Sequence, residues 1–349
     1  MKRIPPEQDE IPYLRSVLVR WYRAEQRDLP WRRTTDPYRI WVSETMLQQT
    51  RVAAVLPYYE RFLARFPSVA ALAAAPVEDV LALWAGLGYY RRARHLKKAA
   101  EIVVARHGGK LPEDAEALLA LPGIGRYTAG ALRSIAFGRP APVLDGNVFR
   151  LLSRFLAREG TWSSSTDKER FWKIAEAAVP SRNAGDFNQA LMEMGALVCT
   201  PRLPECGRCP IRRRCRARLT GRVDRFPSPR RRPATEEVRR DVFVLRDRRD
   251  RILLRRRPES GRMGGMWELP VENPGTSPAT EAGRFRHSIL NKRYRVRVFV
   301  AACGGAAKGG GDVRWVAREE IPGYPLTAMA KKGLRVAFPA DAGGKPPGR

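Results

Sequence analysis

The sequence predicts an α+β protein of two domains, an all-α domain followed by a smaller domain that contains a β-sheet. Three observations lead to this prediction. The 349 residues exceed what one hydrophobic core usually organises. From about Ile11 to Leu219, apolar residues recur at helical spacings of three and four. After a segment rich in Pro and Arg, the pattern changes to short runs of β-branched and aromatic residues that are typical of strands.

The first domain, predicted over residues 8–220, consists of helical segments separated by Pro, Gly and Asp. No convincing strand interrupts the pattern. The representative predicted helices are 42–66, 77–83, 92–106, 114–121, 127–137, 148–156, 168–179 and 187–198.

A solvated linker is predicted over 221–240, because this segment has few large apolar residues. The second domain is predicted over 241–338, and the last residues, 339–349, are Gly, Pro and Lys and are expected to be disordered. The predicted strands of the second domain are 242–245, 252–254, 294–300 and 313–316.

The composition indicates a polyanionic partner. Lys and Arg number 65 against 36 Asp and Glu, which gives a formal net charge of +29. A nucleic acid is the simplest partner for such a charge. No stretch approaches the roughly 18 apolar residues of a membrane-spanning helix, and the charged, proline-broken N-terminus lacks the apolar core of a signal peptide. We therefore expect a cytoplasmic protein, monomeric and without a membrane partner.

Four of the five cysteines lie in the segment 199–215 with the spacing C-x6-C-x2-C-x5-C. Four thiolates from one compact loop are typical of a closed metal site rather than of a disulfide framework. Zinc accepts the same ligands, so the spacing alone leaves zinc open. One C-x2-C unit with two longer gaps favours a [4Fe–4S] cluster with a structural role. The predicted ligands are Cys199, Cys206, Cys209 and Cys215.

A glycine-containing turn between two predicted helices is a candidate DNA contact. Residues 121–130 read LPGIGRYTAG. Gly123 and Gly125 permit a tight turn with outward-pointing backbone N–H groups, which can bind a phosphate without reading the base sequence. Gly-x-Gly between helices is also often only a turn.

Two carboxylates have the unequal surroundings that suit cleavage of an N-glycosidic bond. Asp145, in VLDGNV, precedes a helix whose N–H groups and dipole would keep it ionised, either as a cap alone or also as the stabiliser of a sugar cation. Glu44, in WVSETMLQQT, would ordinarily lie on the solvated face of its helix. Its apolar neighbours Trp41 and Met46 instead favour partial burial, which would raise its pKa toward acid catalysis.

Taken in order, WVSETMLQQT, LPGIGRYTAGA, VLDGNV and the cysteine loop resemble the adenine DNA glycosylases of the MutY type. The resemblance begins near residues 29–32 (LPWR) and continues into the second domain. It implies a helix-hairpin-helix domain of two lobes with a DNA cleft between them, a [4Fe–4S] cluster, and a Nudix-like α+β domain. Similar enzymes flip out adenine mispaired with 8-oxoguanine or guanine in double-stranded DNA and hydrolyse its glycosidic bond.

The resemblance assigns catalytic roles to four residues. Glu44 matches the general acid that protonates adenine at N7, and Asp145 matches the acid that stabilises the sugar cation. Asn147 and Tyr127 match neighbours that support this intermediate. In endonuclease III-like relatives a lysine occupies the position of Tyr127 and forms a Schiff base with the sugar. Tyrosine cannot form a Schiff base, so the resemblance implies a monofunctional glycosylase that leaves an abasic site.

The resemblance also implies a set of DNA-contacting residues. Some match positions around the adenine edge, and Gln49 and Tyr89 resemble the wedge that enters the base stack beside the mispair. The residues expected to bind substrate are Trp31, Arg32, Leu47, Gln49, Thr50, Leu87, Tyr89 and Glu193, and those expected on the DNA backbone are Gly123 and Gly125.

The second domain departs from the family in the loop that reads the opposite base. Its early segments, RRRP at 255–258 and GGMWELP at 264–270, resemble the Nudix-like domain, but the paired glutamates of a Nudix hydrolase are missing from the sequence. The family typically carries a His-Thr-Phe-Ser-His-like loop, whereas this chain reads His287-Ser288-Ile289-Leu290-Asn291. We expect a reader of the lesion, with His287, Ser288 and Asn291 as its candidate contacts.

Three other functions fit the sequence less well. Tyr127 and the second domain oppose an endonuclease III-like pyrimidine glycosylase with lyase activity. A non-catalytic DNA-binding protein would leave Glu44 and Asp145 without a role. The missing glutamates oppose a Nudix hydrolase of free nucleotides.

Overall fold

A computed structural model of the chain describes residues 10–229, 234–258, 263–272, 278–303 and 312–339. The predicted disordered tail lies outside these residues apart from Pro339. The chain divides into two compact units, the first comprising residues up to 80 together with 92–231, and the second comprising 81–91 together with the residues from 232 onward. No helix of the described residues is long and apolar enough to cross a membrane.

Residues 10–229 are helical, as the spacing of their apolar residues predicts. The amphipathic helix α9 (Gly146–Leu156) contributes Phe149, Leu152 and Phe155 to one buried cluster, where they pack with Leu18 and Phe187 of neighbouring helices. This cluster holds α8 (Arg126–Ala131) and α9, the helices that carry Tyr127 and Asn147. The helices are α1 (Glu10–Glu25), α2 (Pro37–Leu47), α3 (Val52–Arg65), α4 (Val69–Ala74), α5 (Val77–Leu83), α6 (Arg91–His107), α7 (Ala115–Leu119), α8 (Arg126–Ala131), α9 (Gly146–Leu156), α10 (Ser165–Ala178), α11 (Ala184–Leu197) and α12 (Arg216–Leu219).

The single helix predicted over 42–66 is wrong, because the chain breaks between α2 and α3. Asp36 caps the start of α2 by accepting hydrogen bonds from the backbone N–H groups of Tyr38 and Arg39. The helix ends at Leu47, and Gln49 has a left-handed backbone with φ of 60°. A left-handed residue cannot continue a right-handed helix. The polar run after Leu47 therefore forms a connecting turn.

The predicted turn at 121–125 joins α7 to α8. Gly123 has φ of +82°, and a Cβ placed there would lie 2.8 Å from Cβ of His95. Both the backbone conformation and the close approach of α6 therefore require glycine at this position. Gly125 is exposed and precedes α8, where no neighbouring atom would meet a Cβ. Beyond α8 the chain continues as a π-helical turn over Leu132–Ala136.

The second unit contains a mixed sheet with the strand order β3-β2-β1-β5-β4, and β6 pairs with β2. β1 and β5 are parallel, whereas the other pairs are antiparallel. Helix α13 (Ala328–Ala337) packs against β1, β4 and β5 on one face of the sheet. The strands are β1 (Glu236–Arg246), β2 (Ile252–Arg256), β3 (Trp267–Glu268), β4 (Thr280–Ile289), β5 (Lys292–Ala302) and β6 (Val313–Val316).

All four predicted strands are present, but the linker prediction is wrong at its C-terminal end. β1 begins at Glu236, inside the segment predicted as linker through 240, because pairing with β5 extends the strand beyond its apolar centre. The sequence did not predict β4 or α13. The exposed positions of β4 are charged or small, so the strand lacks the apolar run from which the other strands could be identified.

Candidate active site

Glu44 is a buried carboxyl group near the C-terminal end of α2. Its side chain accepts a hydrogen bond of 2.8 Å from the hydroxyl of Tyr127, which also lies 2.9 Å from Sδ of Met192. Glu44 is 5% exposed. Burial raises the pKa of Glu44 to about 7, the charge of Asp145 adds to the rise, and the Tyr127 hydrogen bond and the charge of Arg32 limit it. The predicted burial of this carboxyl group is therefore present.

Asp145 caps the N-terminus of α9. One carboxylate oxygen accepts hydrogen bonds from the backbone N–H groups of Asn147 (2.9 Å) and Val148 (2.7 Å), and the other accepts one from Nδ2 of Asn147 (3.0 Å). The cap is as predicted, but its effect is outweighed. Burial raises the pKa of Asp145, and the three N–H donors and Arg150 only limit the rise. The sequence could not reveal this burial, because the surrounding residues come from distant helices.

Glu193 and Arg32, predicted at the adenine edge, form a buried ion pair with a third residue that the sequence did not indicate. Oε1 and Oε2 of Glu193 accept hydrogen bonds from Arg32 at 2.9 and 2.7 Å and from Arg27 at 2.8 and 2.6 Å. Burial opposes ionisation of Glu193, but the hydrogen bonds and charges of the two arginines lower its pKa to about 2. Trp31 is also buried, with its ring edge-on to Tyr59.

Arg92 of α6 holds the end of the helix that carries Glu44. Its Nη1 donates hydrogen bonds to the carbonyl oxygens of Thr45 (2.9 Å), Met46 (2.7 Å) and Gln48 (2.6 Å), and its Nη2 donates to Oγ1 of Thr50 (3.1 Å). These carbonyls belong to the C-terminal turn of α2, where helical partners run out. Arg92 therefore positions Glu44, and Thr50 contributes to this contact. Sequence reasoning missed it, since an arginine within a basic helix gives no such signal.

The two predicted wedge residues share an unusual backbone. Gln49 and Tyr89 are both exposed, Tyr89 by 56% of its surface, with φ of 60° and 49°. Non-glycine residues in this conformation are strained, and such strain is concentrated at functional positions. Leu47 is half-buried. Leu87 is buried at 6% exposure, so it does not share the accessibility of the wedge residues.

The four predicted metal ligands line one cavity. Cys199, Cys206, Cys209 and Cys215 line this cavity together with apolar residues such as Leu151 and Ile211. Within the parts of the chain that the structure describes, no group of three or more His, Cys, Asp or Glu is close enough to hold a single metal ion. Four soft thiol donors around one cavity are a ligand set that fits an iron–sulfur cluster.

Two buried arginines of α9 hold the cysteine loop. Arg154, which is 3% exposed, donates to the carbonyl oxygens of Thr200 (2.6 Å) and Phe226 (2.9 Å). Arg150 donates to the carbonyl of Cys199 (2.8 Å) and to Oδ1 of Asn147 (2.9 Å). Since Asn147 also binds Asp145, one helix supports both the carboxylate and the loop.

Two families match the chain in sequence. The HhH-GPD superfamily of base excision DNA repair proteins matches residues 42–177, and the NUDIX domain family matches residues 241–335. The human adenine DNA glycosylase is 40% identical over 94% of this chain and 74% of its own length. The adenine DNA glycosylase of Rattus norvegicus is 35% identical over 94% of this chain and 78% of its own length.

The chain belongs to the adenine DNA glycosylase family. It is thus an enzyme of base excision repair that hydrolyses the N-glycosyl bond of adenine in DNA. The helical unit is also similar to the solved structure of a thermostable thymine-DNA glycosylase, with 30% identity and a TM-score of 0.56 over 60% of this chain and 97% of that one.

For this family's chemistry, the helical unit holds two buried carboxyl groups, Glu44 and Asp145. With a pKa of about 7, Glu44 holds a proton that it can donate near neutral pH. Asp145 has three N–H donors around it, and such donors favour the ionised form. Both carboxyl groups are held in one unit, and burial raises the pKa of each while the N–H donors limit the rise at Asp145.

The candidate lesion-reading residues lie at the hairpin between β4 and β5. Ser288 is exposed, whereas His287 is half-buried, and burial and the charge of Lys332 lower the pKa of His287. Nδ2 of Asn291 donates to the carbonyl of Ala234 (3.3 Å) and the Asn291 carbonyl accepts from the N–H of Glu236 (2.8 Å). Asn291 therefore ties the hairpin to the start of β1.

Proposed function

We propose that the enzyme excises adenine opposite 8-oxoguanine or guanine and leaves an abasic site without cutting the DNA strand. The observation that carries the proposal is the buried Glu44, protonated near neutral pH and held by Tyr127, in the same unit as the capped carboxylate of Asp145. A neutral adenine is a poor leaving group until it is protonated, and the bond then breaks toward an oxocarbenium ion.

In the proposed mechanism Glu44 donates its proton to N7 of the flipped adenine. Asp145 stabilises the sugar cation through its negative charge, and Asn147 fixes the orientation of that carboxylate through a hydrogen bond of 3.0 Å. Tyr127 orients Glu44 and prevents its pKa from rising further. Water then adds to the sugar cation and loses a proton, which restores the acid form of Glu44; the products are free adenine and the abasic site.

Tyr127 supports the monofunctional part of the proposal. A phenol hydroxyl cannot form a Schiff base with the sugar, and in this structure it is hydrogen-bonded to Glu44. We predict that Tyr127→Lys introduces a small yield of adduct that borohydride traps, measured by gel shift on adenine-containing duplex. Tyr127→Phe is the control and is expected to give no adduct. Absence of any adduct with Tyr127→Lys would show that the lysine does not reach the sugar carbon.

We propose that the four cysteines hold a [4Fe–4S] cluster. The cluster would supply four strong bonds that cross-link the loop 199–215, and its saturated ligand set leaves no position for substrate. The loop carries Arg202, Arg208 and Arg213, which would lie near a phosphate backbone. Arg150 and Arg154 hold the loop from α9.

We propose that recognition of the mispair is divided between two sets of contacts. Around the flipped adenine, Trp31 and the buried pair of Arg32 and Glu193 provide an apolar face and fixed donors. Gln49 and Tyr89 enter the stack beside the mispair, and the N–H groups at Gly123 and Gly125 bind the DNA backbone. In the second unit, His287, Ser288 and Asn291 are the candidate contacts to the opposite base.

Two labelled duplexes test the proposal, one with adenine opposite 8-oxoguanine and one with adenine opposite guanine. We expect strand breaks in both only after alkali, because an abasic site is alkali-labile whereas a lyase cuts the strand itself. Breaks without alkali would contradict the monofunctional mechanism. Cleavage of neither duplex by cluster-loaded enzyme would contradict the proposed mispair specificity.

A further inference from the structure

The sheet face opposite α13 carries arginines in register on three adjacent strands. β5 lies between β4 and β1, and Arg295 of β5 pairs with Arg286 of β4 and with Arg239 of β1. Neighbouring strands lie about 4.8 Å apart, and paired residues project from the same face. The three guanidinium groups therefore form one row across the sheet, and all three side chains are exposed.

Flanking rows extend this charge along the strands. On one side Arg297 pairs with Arg284 and Asp241, and on the other Arg293 pairs with Ser288 and Glu237. Arg284 and Arg295 are 72% and 63% exposed. We call this surface the arginine face; its members are Arg239, Arg284, Arg286, Arg293, Arg295 and Arg297.

The carboxylates on this surface do not neutralise it. Glu237 pairs with Arg293 and Arg295, Asp241 pairs with Arg297, and Glu281 pairs with Arg284. Six arginines thus stand against three carboxylates, which leaves a net charge of +3.

The middle row has no folding rationale. In the described parts of the chain, Arg239 and Arg286 have no ion-pair partner, although they stand in register with a third arginine. Like charges directly opposite one another destabilise a sheet. The cluster around Val242 and Val298 lies on the other face with α13, and the smaller cluster around Leu245 and Ala301 does not include the row, so the row does not support packing either. A bound polyanion would offset this repulsion between the arginines of the middle row.

We propose that the arginine face binds the sugar-phosphate backbone of duplex DNA, outside the mispair itself. Arginine is suited to this partner because its planar fork donates two hydrogen bonds to one phosphate. The proposal rests on DNA as the substrate of this family but not on which base stands opposite adenine. The face adds a second, sequence-independent grip to the enzyme, and it strengthens binding to undamaged duplex as much as to the mispair.

Salt dependence of binding tests the proposal, because each phosphate contact lowers the slope of log K against log salt by about 0.9. The variant is full-length Arg239→Gln/Arg286→Gln, and the probe is undamaged duplex DNA. If both residues contact a phosphate, the slope becomes shallower by roughly 1.8. The melting temperature of the variant should equal or exceed that of wild type, since the substitutions remove repulsion within the row. If the row instead stabilised the fold, the melting temperature of the variant would be lower.

The control is Arg248→Gln/Arg249→Gln, which removes the same charge from exposed residues in the turn between β1 and β2. We expect this control to keep the wild-type slope, and both variants to excise adenine at the wild-type rate when the enzyme saturates the DNA. Equal slopes for the two double variants would overturn the proposal while leaving the glycosylase function intact. The proposal would also be overturned if the Arg239→Gln/Arg286→Gln variant lost affinity for duplex RNA or for an acidic protein but kept its affinity for duplex DNA.

Discussion

Glu44 is the residue on which the proposed mechanism of base release depends most directly. Glu44→Gln keeps the shape of the side chain but removes its proton-donating acid, so we expect single-turnover adenine excision to be abolished. Mispair binding should stay within about threefold of wild type, because the other DNA contacts remain. Excision and binding are measured on the same duplex. Glu25→Gln, the same change at an exposed residue of α1, is the control and should excise adenine normally.

The raised pKa of Glu44 predicts how the excision rate depends on pH. A general acid must be protonated, and Glu44 is protonated below its pKa of about 7. The single-turnover rate should therefore fall as the pH rises through about 7. Tyr127→Phe removes a hydrogen bond that lowers this pKa, so its rate should fall at a higher pH than that of wild type. A profile that is flat from pH 6 to 9 would contradict the role of Glu44.

The same pKa makes a prediction about stability. The folded state raises the pKa of Glu44 from 4.5 to about 7 and so binds the proton more tightly than the unfolded chain. This contribution to the free energy of unfolding is fully present below pH 4.5 and is lost as the pH rises to about 7, a loss of about 3 kcal/mol. Urea unfolding at pH 5 and pH 8 should show Glu44→Gln gaining stability relative to wild type at the higher pH. If the free energies of unfolding of Glu44→Gln and wild type differed by the same amount at pH 5 and pH 8, this prediction would be contradicted.

At this scale, the sequence identifies residues whose chemistry is unusual for their surroundings. Glu44 stands among apolar residues and Asp145 stands at a helix start, so both could be predicted. Arg27 and Arg92 could not, because they are two among many arginines and their partners lie far away along the chain. Burial of a charged side chain by distant helices leaves no local pattern.

At the scale of elements, the close approach of α9 and α11 positions the candidate catalytic residues Asp145 and Asn147. A Cβ at Gly195 of α11 would lie 2.7 Å from Cβ of Asn147 in α9 and 3.0 Å from its backbone. We expect Gly195→Ala to push α9 and Asp145 away, at a cost of roughly 1–3 kcal/mol in stability and about 10- to 100-fold in excision rate. Urea unfolding and single-turnover kinetics measure the two effects.

The matched control adds one heavy atom at the next residue of α11. Ala196 is exposed, so Ala196→Ser should leave stability and excision close to wild type. If Gly195→Ala behaved like this control, the spacing of α9 and α11 would not determine the position of Asp145.

Helices and strands can be predicted from the sequence where the apolar residues follow one regular spacing. The prediction fails where polar residues interrupt that spacing. The apolar spacing of α9 and α11 gave both helices to within a few residues. The break between α2 and α3 depends on the left-handed Gln49 and on Arg92, which the spacing does not encode. β4 exposes arginine and serine, so its strand character comes from pairing with β5 rather than from its own composition.

At the scale of the whole molecule, the change of periodicity after residue 220 indicates two units because each unit needs its own core. The apolar cluster around Phe149 and the one around Val244 supply these cores. The net charge of +29 predicted a nucleic acid partner but not where the charge lies. The arginine face depends on the register of β4 against β5, which no sequence pattern predicts.

The β4–β5 hairpin, which carries the proposed contacts to the opposite base, belongs to the second unit, whereas the proposed catalytic residues Glu44 and Asp145 belong to the first. Leu290 is 76% exposed with φ of 56°, an uncommon conformation for leucine, at the tip where the family carries a polar loop. We expect Ile289→Phe/Leu290→Ser/Asn291→His to raise the ratio of excision rates for adenine opposite 8-oxoguanine over guanine by about fivefold, the effect of one net hydrogen bond. Both duplexes are assayed in single turnover.

The hairpin variant should still need alkali for strand breakage, because the residues that hydrolyse the bond are unchanged. Losing the hydrogen bond from Asn291 to Ala234 should lower stability by no more than about 1 kcal/mol. Arg249→Ser, in the turn between β1 and β2 at the other end of the sheet, controls for a general effect of surface changes in this unit. If the hairpin variant and this control gave the same rate ratio, the hairpin would not read the opposite base. Preference would then have to arise among residues that contact the adenine strand.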